Sequence, residues 1–394
     1  GTTLAVGAVH ESGASSDVNG PDNDDQQDAG AAYVFVRGAD GVWQQQAYVK
    51  PSNPGNGDQF GFTVALSGDG NTLAVGAILE DSAQGGVNSG PGGDHPDGTN
   101  AGAVYVFVRD GVRWMQQAYM KADVPQACAN FGYSLGLSFD GNTLAAGSVF
   151  DDSQAGAVYV FGRDGSQWAQ HARVKASNPD VEDWFGYALA LSQDGKMHAV
   201  GAPREDSSAD EIGGSQGNDP LGNNSGAAYV FVRAGNDWNE QAYMKASNTG
   251  QGDQFGASLT ISSDGRTLAI GAIREDSKAP GIDGDQEDDG LSGSGAVYVF
   301  VRNDMQQWSQ QAYVKASNPG EDDLFGYSMA LSSDGNVLAV SAAFERSLGK
   351  AFGAAQADDS DAAVGAVYLF RREGAVWSQA TYLKSSNPKG GQQF

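Results

Sequence analysis

Cysteine is almost absent. Cys128 is the only one in 394 residues, so no intrachain disulfide can form. Basic residues are scarce too, 23 Lys and Arg against 49 Asp and Glu. The formal charge of −26 argues against a nucleic-acid groove or an anionic membrane surface as partner. No apolar run approaches the roughly 18 residues of a membrane helix, which excludes membrane insertion by helices. Histidine is limited to His10, His95, His171 and His198, which fall at unrelated phases without metal-ligand spacing. An initiator Met is missing as well, and Gly1-Thr2-Thr3-Leu4 reads as a processed or truncated end. If the protein is secreted, something other than disulfides must fasten its loops. A metal ion is the first candidate.

Against these absences stand 56 Gly, about twice the ordinary share, and 38 aromatic residues (7 Trp, 14 Tyr, 17 Phe). Such a composition at regular spacing excludes a chain that is disordered throughout. The regularity is an internal repeat. Phe-Gly occurs at 60–61, 131–132, 185–186, 255–256 and 325–326, and Phe394 falls in the same phase. Trp43, Trp114, Trp168, Trp238, Trp308 and Trp377 keep the same beat.

Each unit reads as four short strands, A to D. In the second they span 60–67, 72–77, 103–108 and 114 to about 121. They alternate with period two and are rich in β-branched and aromatic residues. Asp-Gly hairpins join A to B, as at Asp69-Gly70, and C to D, as at Asp110-Gly111. Four meandering strands repeated six times predict an all-β chain, a β-propeller of four-stranded antiparallel blades. The expected domain is 1–394, with blades bounded near Phe60, Phe131, Phe185, Phe255, Phe325 and Phe394. Six B, C and D strands are visible but only five A strands. The chain is therefore a six-bladed ring that has lost its closing strand or a segment of a longer array, and a seventh blade outside it stays open. The phases of Gly1 and Phe394 favour the ring.

Charge is concentrated in the B–C connections, near 10–30, 78–102, 149–156, 203–226, 273–295 and 343–365. They hold 28 of the 49 acidic residues and 5 of the 23 basic ones, a net of −23 out of −26. In an antiparallel blade these loops share one end with the D–A connectors, so function is expected on an acidic loop face. Most of the loops open on an acid doublet: Glu80-Asp81, Asp151-Asp152, Glu205-Asp206 and Glu275-Asp276. Further acids follow at alternate positions, Asp22 and Asp24 in the first loop and Asp283, Asp285 and Asp289 in the fifth. The connectors add Asp58, Asp183, Asp253 and Asp323, each two residues before the recurring Phe. Hard oxygen donors in Gly-rich loops suit Ca²⁺, so these residues are the expected calcium ligands. The competing reading is a solvated acidic surface.

Other residues carry weaker signals. His198 replaces a strand-B Leu and reads as a packed histidine. Trp184 departs from Gln59 and Gln254 at its position, either to stack on a sugar or to pack the blade. The Arg after strand C (Arg37, Arg109, Arg163, Arg233, Arg302, Arg371) and the Lys ending strand D (Lys50, Lys121, Lys175, Lys245, Lys315, Lys384) repeat in every unit. They read as outer-strand solubility and edge protection.

With Phe-Gly opening strand A and Val200-Gly201-Ala202-Pro203 closing strand B, the unit resembles the FG-GAP repeat of integrin α-subunit propellers. It looks most like the bacterial extracellular proteins built from tandem copies. The resemblance implies a propeller over essentially the whole chain. It also implies calcium in the A–B hairpin, but here that hairpin carries one acid, as in Ser67-Gly68-Asp69-Gly70. Calcium is therefore expected on the opposite face.

The expectation is an extracellular or cell-surface binding or adhesion module, not an enzyme, with a protein or glycan ligand on the acidic loops. Two alternatives stay open: a structural unit of a surface layer or filament that self-assembles through an unpaired blade edge, and a lectin.

Overall fold

Period-two strands joined by Asp-Gly turns can fold only as meanders, and the computed structural model of the chain is a series of them. It describes residues 1–21, 23, 25–90, 99–219, 222–347, 363–387, 389–391 and 393–394. The protein is an all-β propeller with six blades, each a sheet in chain order. The first blade has three strands, β1 (Thr3–Ala8), β2 (Ala31–Arg37) and β3 (Trp43–Val49). The second has β4 (Phe60–Leu66), β5 (Thr72–Ala77), β6 (Ala103–Asp110) and β7 (Arg113–Met120). The third has β8 (Phe131–Leu137), β9 (Thr143–Ser148), β10 (Ala157–Asp164) and β11 (Gln167–Val174), with a single turn α1 (Asp151–Gln154) between β9 and β10. The fourth has β12 (Ala188–Leu191), β13 (Met197–Ala202), β14 (Ala227–Ala234) and β15 (Asp237–Met244). The fifth is β16 (Phe255–Ile261), β17 (Thr267–Ala272), β18 (Ala296–Arg302) and β19 (Trp308–Val314). The sixth is β20 (Phe325–Leu331), β21 (Val337–Ala342), β22 (Ala366–Glu373) and β23 (Val376–Leu383). Among the described residues five A strands are present, as the repeat count predicts. The chain divides into two compact units, one of residues 1–196 with 233–238 and one of 197–232 with 239–394.

In the first unit the core lies between successive blades. Val34 and Val49 of the first pack with Leu73, Val75, Tyr105 and Trp114 of the second. The recurring Phe is buried at this junction: Phe60 meets Tyr105 and Phe107 edge-on, at 5.4 and 6.1 Å between ring centres. Its neighbour must be Gly because strands of adjacent blades nearly touch. A Cβ on Gly61, which has a φ of +93°, would lie 2.3 Å from the carbonyl oxygen of Ala31 on β2, and one on Gly76 of β5 would lie 2.4 Å from that of Gly132 on β8. The second unit repeats this arrangement, with Phe255 against Tyr298 and Phe300 and with Gly271 facing Gly326.

Three of the strand-C arginines, Arg109, Arg163 and Arg302, are not solubility devices, whereas Arg37 and Arg233 bond the hairpin carbonyls of Gly41 and Gly235 and Arg371 is exposed. Arg109 lies over the Trp114 ring at 5.4 Å, and both donate to the Gln46 side-chain oxygen on β3 of the preceding blade, at 3.3 and 2.9 Å. Arg163 and Trp168 hold Gln117 in the same way, and in the second unit Arg302 and Trp308 hold Gln241. In the sixth blade Arg372 fills this role on Gln311, rather than the expected Arg371. Each latch clamps one blade to the one before it.

Candidate functional site

Strand D ends in Lys beside the base of the B–C loop of its own blade. The expectation of a surface lysine fails: Lys50, Lys121, Lys245, Lys315 and Lys384 are all buried. Each pairs with the first acid of its loop, Lys50 with Glu11 at 2.7 Å, Lys121 with Glu80 at 2.6 Å, Lys245 with Glu205 at 3.1 Å, Lys315 with Glu275 at 2.6 Å and Lys384 with Glu345 at 2.5 Å. A buried ammonium must fill its three N–H donors. Lys245 donates to Glu205 and the Ser207 carbonyl where the loop begins, and to Ser225 Oγ and the Gly226 carbonyl where it ends. Lys50 likewise joins Glu11 to the Gly30 carbonyl. The Tyr two residues before the Lys completes the cluster. Tyr48, Tyr119 and Tyr313 donate to Glu11, Glu80 and Glu275, while Tyr243 and Tyr382 bond Ser207 and Ser347. Burial pulls Lys121, Lys245 and Lys315 below the ordinary lysine range, against the opposing pull of their glutamates.

The expected calcium ligands thus fall into three groups. Glu80, Glu205 and Glu275 hold the lysines. Asp81, Asp206 and Asp276 accept the backbone N–H of Asn100, Asn224 and Gly293 at 2.6, 2.8 and 2.7 Å, closing the far ends of the same loops. The connector carboxylates Asp58, Asp183, Asp253 and Asp323 are buried, and each accepts the N–H three residues earlier at 2.8 Å. Further out, Asp283 accepts the N–H of Tyr313 and Asp285 that of Glu287. Asp22 and Asp24 lie outside the described residues.

Burial pushes Asp253 up to about 7, and the charges of Glu275, Asp276 and Asp289 add to this against the bond from Gly250. Four expected ligands are therefore within electrostatic reach of one another. Even so, among the described residues no group of three or more His, Cys, Asp or Glu side chains is arranged to hold a metal ion. The A–B hairpin acids serve their turns: Asp69 accepts from Ser67 Oγ at 2.5 Å and from the Asn71 N–H at 2.9 Å.

The third blade departs from the pattern. Asp151 takes the place of Glu and is bound by Arg173 at 2.9 Å and Tyr159 at 2.6 Å, while Asp152 pairs with Lys175. His198 is fully buried against Phe231 at 5.1 Å, and burial lowers it to about 3, so it is a neutral packing group as expected. Cys128 is exposed and takes part in no disulfide. Trp184 is half-buried and stacks on Tyr187.

A family model described as FG-GAP repeat matches residues 43–107, 114–161, 168–231 and 238–300, more than half of the chain. No curated protein matches it. Among solved structures, the crystal structure of TolB from Acinetobacter baumannii is similar over 91% of this chain at 10% identity and a TM-score of 0.42. The chain spans 61% of that TolB chain.

Proposed function

The chain belongs to the FG-GAP repeat family of β-propellers, and from that premise we propose that it is an extracellular or cell-surface binding module rather than an enzyme. One observation carries the reading. A buried lysine ties both ends of a B–C loop to its blade, which leaves the outer loop as an acidic surface on a rigid scaffold. Loops fixed at the base and charged at the tip suit recognition of a protein ligand. The test is an array of extracellular proteins and glycans, probed with the chain and with an Asp285→Asn/Glu287→Gln/Asp288→Asn variant. Saturable binding that the variant loses supports the reading, and binding that the variant keeps counts against the loops as the surface.

Calcium ordering of the loops is a second reading, favoured by Asp253. Its charge is opposed by Glu275, Asp276 and Asp289, and a divalent cation would relieve that repulsion. Running the same array in calcium and in a chelator tests it, since equal binding in both would leave calcium without a role.

A further inference from the structure

We infer that a partly exposed aromatic stripe on the first unit docks a positively charged segment of a partner protein, an inference that rests on the binding-module reading. Phe62 follows the Phe-Gly pair in β4, and Tyr133 and Tyr187 hold the same place in the next two repeats. Their rings form a chain, with centres 5.2 Å apart from Phe62 to Tyr133 and 5.1 Å from Tyr133 to Tyr187. Tyr187 stacks on Trp184 at 5.9 Å and 11°, and Phe150 meets Trp184 edge-on at 5.7 Å. Phe62 is 38% exposed and the other four are half-buried. The stripe runs to the blade whose B–C connection is the shortest, the turn at 149–156. Trp184 Nε1 donates to Gln154 of that turn at 3.3 Å.

The fold does not need these rings. In the fifth repeat Ala257 stands where Phe62, Tyr133 and Tyr187 stand, and Gln254 stands where Trp184 does. Tyr327 repeats the ring in the sixth repeat against Phe344, but the first unit joins five touching aromatics into one stripe, and aromatic faces on a surface attract cations. The charge around them has the matching sign. Asp180 and Glu182, just before Trp184, are exposed, whereas the nearby cations Arg173 and Lys175 are already paired with Asp151 and Asp152. With a net charge of −26, base stacking by a nucleic acid is disfavoured. Lysine or arginine side chains of a protein segment would gain from both the rings and the acids.

The probe is a short peptide of alternating lysine and glycine, compared with the same peptide acetylated on every lysine and with cellohexaose. Trp184→Gln places at this position the residue that Gln59 and Gln254 carry at the same positive φ (56° and 57°, against 60° for Trp184), and Tyr187→Ala copies Ala257. Both variants therefore keep a residue the repeat already accommodates, and an unchanged melting temperature verifies it. The lysine peptide should bind, each substitution should weaken it about tenfold, and acetylation should abolish it. Equal binding by Trp184→Gln overturns the inference, as does equal binding of the acetylated peptide or a Trp184-dependent response to cellohexaose alone. Array ligands that bind the Trp184→Gln variant normally while the peptide fails would overturn the stripe and leave the binding module standing.

Discussion

A lysine ammonium buried away from solvent is tolerable only while every proton has an acceptor, and Lys245 meets that condition through Glu205, Ser207, Ser225 and Gly226. Lys245→Met should therefore cost about 3–5 kcal/mol, because it strands a buried carboxylate. Lys245→Met with Glu205→Leu should recover most of that loss, since removing both charges leaves no uncompensated ion. Urea unfolding of the three proteins decides it, and a single variant as stable as the parent would show the pair to be idle. The sequence did carry a trace of this pairing. Five units combine Tyr-x-Lys at the end of strand D with Glu at the loop start, and the third, with Arg173-x-Lys175, has Asp151 instead. The joint change marks contact across about 40 residues, but a lysine in a polar stretch reads locally as surface.

Strands are a local matter, and alternation placed them well. The expected 60–67, 72–77 and 103–108 became β4, β5 and β6, with β5 unchanged and the last residues of β4 and β6 moved by one and two positions. The main departure is the A strand of the fourth blade, which starts at Ala188, while Phe185 before it takes part in an isolated bridge to Gly156. The reason for Phe-Gly was not visible, because it lies between blades. Gly76 and Gly132 let two strands approach until the missing Cβ matters, and Thr63 Oγ1 donates to the same Gly132 carbonyl at 2.7 Å. Gly76→Ala should lose about 1–3 kcal/mol, since neither backbone can yield. A melting temperature unchanged in that variant would mean that the blades can separate at no cost. Each Arg–Trp–Gln latch escaped notice for a similar reason. Its members sit on different blades, and only the folded register brings them to one oxygen.

Charge at the scale of the whole chain was legible, and where it becomes buried was not. Two sets of carboxylates pull stability in opposite directions with pH. Glu11, Asp69 and Asp140 sit below the ordinary range: burial raises them, but hydrogen bonds and nearby Lys50, Arg109 and Arg163 outweigh it. Their contribution is present above the unfolded value near 4 and is lost as pH falls through the folded one. Asp253 is raised from 3.8 to about 7, so its contribution is complete below 3.8 and disappears as pH rises through 7. Repulsion among the loop acids grows in that same upper range and weakens as salt shortens its reach. Stability should accordingly peak at about pH 4–6, with the melting temperature lower at pH 8 than at pH 5. Sodium chloride should narrow the difference by screening the loops. Asp253→Asn should narrow it by a separate route, since an amide keeps the Gly250 bond without a charge to bury. If the melting temperature instead rises from pH 5 to pH 8, the acidic loops are already neutralised by something they bind, and Asp253 is ionised within it.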